Sequence, residues 1–374
     1  MTIVIAAGGT GGHLYPAVAL AREFLRCDPR TQIVFVGTPR GIESKVLVHE
    51  GFKLVFLTAK PFMGTGWWRK LQGLLSVPVG FGQSLSLLHR CRADLVIGVG
   101  GYTSPTMLAA AALTGIARVI LEPNAHPGLA NKAVAPLVQR IFLAFESAGR
   151  SFDRQKVRVV GTPIRREFLV HVQERHRDAT NGRRLLIFGG SQGARAINSA
   201  VIEELPSLMR HLPDLAITHQ TGEADHQRVS DAYRQTGVHA DVVPFLYDMP
   251  RALLAADLVV ARAGAMTIAE LTACGKPAIL VPLPTAIYDH QMKNARAMEE
   301  AGGALVLPQA ELTGTRLGEA IVTLFQNGRQ LQAMRESSWR MRRIDAAEVI
   351  ARECYNLMGV TYDTNGTVGG AGSS

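Results

Sequence analysis

Twice along this 374-residue chain an unbroken apolar run ends in a cluster of glycines and passes straight into a helical segment. The first instance is Ile3–Ala7, then Gly8-Gly9-Thr10-Gly11-Gly12-His13, then a helix over Pro16–Leu25. The second is Leu185–Phe188, then Gly189-Gly190-Ser191-Gln192-Gly193, then Ala194–Leu205. A strand that is apolar at nearly every position is covered on both faces, as in a parallel sheet flanked by helices. Further strand candidates follow each instance. They are Ile33–Val36, Leu54–Leu57, Leu95–Val99, Val119–Leu121, Ile141–Ala144 and Val157–Val160 in the first half. In the second half they are Ala216–Gln220, Val242–Pro244, Leu258–Ala261, Ala278–Val281 and Ala304–Leu307. The length exceeds one typical domain. The chain therefore reads as α/β, with two Rossmann-like doubly wound parallel-sheet domains. The seam is placed near Gly161-Thr162-Pro163, giving domains over 1–162 and 163–345; helical sequence continues to Leu357, and the Gly/Thr/Ser-rich tail 361–374 is expected to be disordered.

Glycine lets a backbone approach a ligand closely, and a helix start supplies unpaired N–H donors with partial positive charge. Tight strand-to-helix packing would also use glycine. A third turn, Gly98-Val99-Gly100-Gly101-Tyr102, ends another strand, and three such turns favour anion binding. A dinucleotide enzyme is disfavoured: the GxGxxG spacing fails at Leu14 and at Thr103, and Ile33–Val36 ends in Gly37-Thr38 without an acid for a ribose. No GxxxxGK[ST] is present either. His13, in a ligand-facing turn, is a candidate base, with capping or packing as the plainer role. After Leu258–Ala261 the run Arg262–Glu270 offers another helix-start anion seat, with Glu270 one turn inside it, placed to hold a ribose diol or simply to complement the helix dipole. Asp289-His290-Gln291-Met292-Lys293-Asn294 opens a further helix with polar groups suited to sugar hydroxyls; ordinary capping by Asp289 is the alternative.

The net charge of +9 points to an anionic partner. Gly51–Ala93 contains no Asp or Glu but carries Lys53, Lys60, Arg69, Lys70, Arg90 and Arg92, with Trp67-Trp68 and many leucines between them. That mixture reads as contact with an anionic membrane surface and not with nucleic acid. A second basic patch is Arg335, Arg340, Arg342 and Arg343. The uncharged stretches Leu71–Leu88 and Leu95–Ala117 are broken by Gly, Pro, Ser and Thr and are rejected as membrane spans. The four cysteines are widely spaced and read as free thiols, with no zinc pattern.

The motifs GGTGGHLYPAVALA, GVGGYTSP, EPNAHPGLANK, GTPIR, FGGSQGARAIN, FLYDM, RAGAMTIAEL and PLPTAIYDHQMKNA, in this order from Thr2 to Leu357, closely resemble the bacterial MurG family. The resemblance implies a GT-B fold, two Rossmann-like domains facing across a cleft, with a closing helix over 346–360 packing back on the first. It implies transfer of N-acetylglucosamine from UDP-N-acetylglucosamine to the 4-hydroxyl of muramyl-pentapeptide-pyrophosphoryl-undecaprenol (lipid I), at the cytoplasmic face of the plasma membrane. By motif, Gly190, Ser191 and Gln192 would lie near the diphosphate, with Arg165 close by. Leu246, Ala265, Met266 and Thr267 would line the uracil and phosphate region. Glu270 would hold the ribose, and Gln291, Asn294 and His290 would face the sugar. Thr10, Gly11, Gly12, His13 and Asn124 would face the donor sugar or acceptor, and Tyr102 the acceptor diphosphate. Where the family often reads HEQN, this chain has Leu121-Glu122-Pro123-Asn124, so no role passes to the missing histidine and glutamine. His13 is the first candidate for the general base and Glu122 the second. No DxD-like pair stands ready for a metal, and no obligatory cofactor is implied. The alternatives are another GT-B enzyme, such as a diacylglycerol glycosyltransferase or a UDP-N-acetylglucosamine 2-epimerase, and a non-catalytic subunit that presents substrate to a transferase.

Overall fold

A computed structural model of the chain describes residues 1–8, 11–38, 43–58, 67–174, 183–286 and 289–361. Thr10, Lys60 and the tail from Tyr362 fall outside the described residues, as do the side chains of Trp67, Trp68, Arg69 and Lys70. The chain divides into two compact units. One is Met1–Ile164 with the segment from Ile344 onward; the other is Arg165–Arg343.

Each expected apolar run forms a strand, to within two residues at either end. The first unit holds β1 (Thr2–Ala7), β2 (Gln32–Gly37), β3 (Lys53–Phe56), β4 (Leu95–Gly100), β5 (Ala117–Glu122), β6 (Arg140–Leu143) and β7 (Val157–Val159). They form one parallel sheet in the order β3-β2-β1-β4-β5-β6-β7. β1 and β4 are buried along their whole length because alternate residues enter two cores. Ile3 and Ile5 pack with Leu14, Leu20 and Phe24 of the helix Gly11–Cys27. Val4 and Ala6 pack on the other face with Met107 and Leu108 of the helix Ser104–Leu113. This two-sided burial is what the continuous apolar pattern required.

The second unit repeats the plan with β8 (Arg183–Phe188), β9 (Leu215–Gln220), β10 (Ala240–Val243), β11 (Leu258–Ala261), β12 (Ala278–Leu280) and β13 (Ala304–Val306). The order is β10-β9-β8-β11-β12-β13, again parallel. Leu185 and Ile187 share a core with Ile197, Val201 and Leu205 of the helix Arg195–His211. The helical sequence near the C-terminus forms Gly314–Gln326, Gly328–Arg340 and Ala346–Leu357. The last of these belongs to the first unit, where Ile350, Ala351 and Cys354 join the core of β1 and the Tyr355 ring meets Phe24 edge-on at 5.6 Å.

Two surface features take a definite form. The stretch Leu71–Leu88 lies inside one helix, Trp67–Cys91, which continues through Pro78. No helix among the described residues is long and apolar enough to cross a membrane. In the second basic patch two of the four arginines are paired with carboxylates. Arg335 pairs with Asp257 (3.3 Å), Arg340 with Glu336 (3.6 Å), and the Arg342 guanidinium lies 3.8 Å over the Trp339 ring.

Candidate active site

In both sheets the strand order reverses beside the first strand of the unit, at β1/β4 and at β8/β11. Ligands of doubly wound folds sit beyond the carboxyl ends of strands at such a point, because the loops on either side diverge there. In the first unit this brings the β1 turn against the β4 turn. Gly101 has φ +83, and a Cβ on it would lie 2.4 Å from the Gly8 carbonyl oxygen. Gly100 has φ +114, and a Cβ there would lie 3.2 Å from His13 Nε2. Glycine is thus required twice over, by backbone conformation and by the His13 imidazole seated on the Gly100 Cα. The Ser104 hydroxyl lies 2.9 Å from the Ala6 carbonyl oxygen and accepts the Gly100 N–H at 3.0 Å, tying β1 to β4 directly beneath. The helix starting at Gly11 has no acid in its first turn, and the helix after Thr103 has no side-chain cap. Both leave N–H donors facing this corner. Tyr102, 39% exposed, stands on the same turn. Gly12 and His13 are half-buried.

Glu122 ends β5 and is almost completely buried, at 1% exposure. One oxygen accepts the Asn124 N–H (3.1 Å) and the Asn124 amide (3.2 Å). The other accepts the Gly128 N–H (3.0 Å) and the Asn131 amide (2.9 Å). A carboxylate offers about four lone-pair positions, and all are taken. These four bonds fold residues 122–131 into one loop that presents Asn124, a structural task that Glu122 performs whatever its part as the second candidate base.

In the second unit the loop after β8 has an exposed tip, Gly190-Ser191-Gln192, and a tightly held base. Gly193 has φ +71, and its Cα presses on the Thr221 carbonyl, where a Cβ would come within 1.9 Å of the oxygen. Gly222, with φ +79, does the same to Gln192 at 2.2 Å. The helix Arg195–His211 follows with no side-chain cap. Beside it, after β11, the helix Ala265–Ala273 begins at Gly264, again without a side-chain cap or an early acid. Ala265 is buried, and Met266 and Thr267 are half-buried. Glu270 lies one turn further on. Burial raises its carboxyl from 4.5 to about 7, with the Arg165 charge pulling the other way. No described residue donates a hydrogen bond to it. Arg165 itself lies 5.6 Å over the Phe168 ring. Leu246 is half-buried between Phe245 and the 88%-exposed Tyr247, whose rings meet at 5.0 Å.

The helix His290–Glu300 opens after Asp289, which has φ +55 and makes no cap hydrogen bond, so capping does not account for that residue. Gln291 accepts the Leu283 N–H through Oε1 at 3.0 Å, which leaves Nε2 as the donor end of its amide. His290 is half-buried at the helix start. Asn294 is fully buried, and its amide donates to the Ala263 carbonyl at 3.3 Å. It holds the turn that precedes the Ala265 helix from behind. Sequence reading also missed Arg262. Its guanidinium donates to the Val281 and Pro282 carbonyls (3.0 and 3.2 Å) and to Gln309 Oε1 (2.6 Å), joining the ends of β11 and β12. Nothing local marks that role, since its partners lie 19 to 47 residues away.

Residues 3–143 match the glycosyltransferase family 28 N-terminal domain, and residues 184–350 match the family 28 C-terminal domain. A UDP-N-acetylglucosamine–N-acetylmuramyl-(pentapeptide) pyrophosphoryl-undecaprenol N-acetylglucosamine transferase from Syntrophus aciditrophicus is 45% identical over 358 residues, covering 95% of this chain and 98% of its own. The protein of the same name from Myxococcus xanthus is 43% identical over 366 residues, covering 98% and 95%. The crystal structure of Acinetobacter baumannii MurG superposes with a TM-score of 0.78 at 27% identity, over 95% of this chain and 99% of that one. A UDP-GlcNAc 2-epimerase from Neisseria meningitidis reaches 0.67 at 14% identity, a likeness of fold alone. Two doubly wound sheets carrying both family 28 domains in this order are the GT-B architecture. From its glycine turns to its full-length relatives, the chain belongs to the MurG family of N-acetylmuramyl-(pentapeptide) pyrophosphoryl-undecaprenol N-acetylglucosamine transferases.

Proposed function

We propose that the protein transfers N-acetylglucosamine from UDP-N-acetylglucosamine to the muramyl 4-hydroxyl of lipid I, with inversion at the anomeric carbon, giving lipid II. The observation that carries this reading is the nucleotide seat of the second unit. There a pinned glycine loop, an uncapped helix start at Ala265 and the desolvated Glu270 come together at one switch point. An anion belongs at such helix starts, and a vicinal diol satisfies a carboxylate that lacks donors. In this assignment Gly190, Ser191 and Gln192 hold the diphosphate with Arg165 near it. Leu246, Ala265, Met266 and Thr267 line the uracil and phosphate region, Glu270 holds the ribose, and Gln291 and His290 meet the sugar. Thr10, Gly11, Gly12 and Asn124 face the sugar or the acceptor, and Tyr102 faces the acceptor diphosphate.

His13 takes the proton of the attacking hydroxyl. As the C–O bond to UDP breaks, charge collects on the β-phosphate and positive character develops at the sugar, in an oxocarbenium-like transition state. Backbone N–H groups at the tip of the 190–192 loop and at the start of the Ala265 helix would stabilise that growing negative charge. The decisive assay supplies labelled UDP-N-acetylglucosamine with a lipid I analogue. Labelled lipid II is the expected product, and no transfer to that acceptor would overturn the reading.

The acceptor lies in the cytoplasmic leaflet, and the acid-free stretch Gly51–Ala93 supports docking there through the helix Trp67–Cys91. Basic residues near an anionic surface contribute about 1 kcal/mol each, and interfacial tryptophans add to that. Replacing Trp67, Trp68, Arg69 and Lys70 together is expected to weaken binding to anionic vesicles at least about tenfold. Unchanged vesicle binding would remove the docking role while leaving the transfer chemistry intact.

A further inference from the structure

Beneath the 190–193 loop runs a chain of buried polar groups that the transfer chemistry leaves unused. Asn198, on the helix Arg195–His211, is 1% exposed. Its Nδ2 donates to the Thr221 carbonyl (3.0 Å) and to Asp225 Oδ2 (2.8 Å), which fixes its amide with Oδ1 turned inward. That oxygen lies 3.1 Å from Nε2 of His219, a fully buried residue of β9. His219 Nδ1 lies 3.2 Å from the Tyr233 hydroxyl. Because an amide oxygen only accepts, Nε2 must carry the imidazole proton, and Nδ1 must accept from Tyr233. Burial lowers the His219 pKa to about 3, so the ring stays neutral and the tautomer does not change near neutrality. Arg228 clamps Asp225 from outside with bonds of 2.7 Å to each oxygen.

The chain terminates on the peptide that supports the loop. The Thr221 carbonyl, held by Asn198, is the atom against which the Gly193 Cα rests, and the next residue, Gly222, abuts the Gln192 carbonyl. Thr221 and Gly222 are themselves anchored through their N–H groups to Val243 and Pro244 at 3.0 and 3.1 Å. The exposed tip Gly190-Ser191-Gln192 therefore stands on a floor whose height is set by Asn198, and Asn198 is oriented by His219 and Tyr233.

We propose that His219, with Tyr233 behind it, is a positioning residue for diphosphate recognition, acting through Asn198 and Thr221 on the loop that receives the phosphates. This rests on the donor assignment above and adds to it a specific division. The floor acts on the phosphate loop and not on the uracil and ribose contacts at Leu246, Ala265 and Glu270. Disturbing it weakens binding of the diphosphate and spares the nucleoside.

The test measures UDP and uridine binding by calorimetry, alongside the donor and acceptor KM. In His219→Leu, UDP affinity is expected to fall about 10- to 100-fold, the cost of misplacing a positioned group by an ångström or less, and uridine affinity to change less than about threefold. The donor KM should follow UDP while the acceptor KM stays put. His219→Gln keeps an amide N–H near the Nε2 position and is expected to restore most of the UDP affinity. If His219→Leu does not fold, Tyr233→Phe carries the same comparison with a smaller loss. Equal weakening of UDP and uridine, or no weakening of UDP in a folded variant, would overturn the proposal. Wild-type protein that binds neither would instead overturn the donor assignment.

Discussion

His13→Ala is expected to lower kcat for transfer by a factor of about 10² to 10⁴, the range that a positioned general base contributes. The donor KM should move less than about threefold, because the nucleotide contacts assigned here lie elsewhere in the chain. The imidazole rests on the Gly100 Cα, with Nε2 3.2 Å from the place a Cβ would occupy. Gly100→Ala should therefore reproduce part of the defect without touching the base itself, by displacing the ring and by forcing a side chain onto a residue at φ +114. Single-turnover measurement with saturating donor separates the chemical step from binding. His13→Ala retaining more than a tenth of wild-type kcat would remove His13 from the base role.

Glu270→Ala is expected to weaken UDP binding about 10²- to 10³-fold, from the loss of two hydrogen bonds between hydroxyl donors and a charged acceptor. The residue also predicts a pH dependence. With its carboxyl raised to about 7 by burial, Glu270 is largely protonated in the ligand-free protein below that pH. Ribose hydroxyls donate to the ionised form, so binding releases a proton. Uridine, which has no phosphate of its own to titrate, should bind more tightly as pH increases towards 7 and level off above it, and that rise should be absent in Glu270→Gln. The stability effect has the opposite sign. Because the folded pKa lies above the unfolded 4.5, stability is highest below 4.5, falls as pH rises towards 7, and stays lower beyond it. The upper limit of that loss is about 3–4 kcal/mol, at about 1.4 kcal/mol per pH unit. Ligand-free Glu270→Gln should consequently melt higher than wild type at pH 8 while binding UDP worse. A variant that melts lower and binds equally well would remove the residue from the ribose seat.

Such opposition between stability and binding is expected where a site holds an unsatisfied group ready for its ligand. The same corner of the second unit shows the complementary arrangement in the Asn294 amide nitrogen and the Arg262 guanidinium, which donate to the Ala263, Val281 and Pro282 carbonyls and to Gln309. They give the seat its shape, and Glu270 gives it an open valence.

The strands, the glycine turns and the two-unit plan were legible in the residues because they depend on local properties. Continuous apolar runs suit strands of a covered parallel sheet, and each run from Ile3–Ala7 to Ala304–Leu307 forms a strand of one, with the central strands β1 and β4 buried along their whole length. The positions of His13, Glu270 and the Gly189–Gly193 loop beyond strand ends were legible for the same reason, since each follows its strand at a fixed offset. Tertiary structure decided which turns meet. Ala7 pairs with Gly100, 93 residues later, and that register seats His13 on Gly100. It also decided which polar side chains face a ligand and which hold the frame. Glu122 and Asn294 read as site residues in the sequence; the fold also ties Glu122 to four donors and the Asn294 amide to the Ala263 carbonyl. Asn198, His219 and Arg262 carried no local sign of their roles. Apolar burial follows a periodicity that neighbouring residues reveal. A buried polar group is satisfied by one partner at one distance, and that partner can lie anywhere the fold happens to bring it.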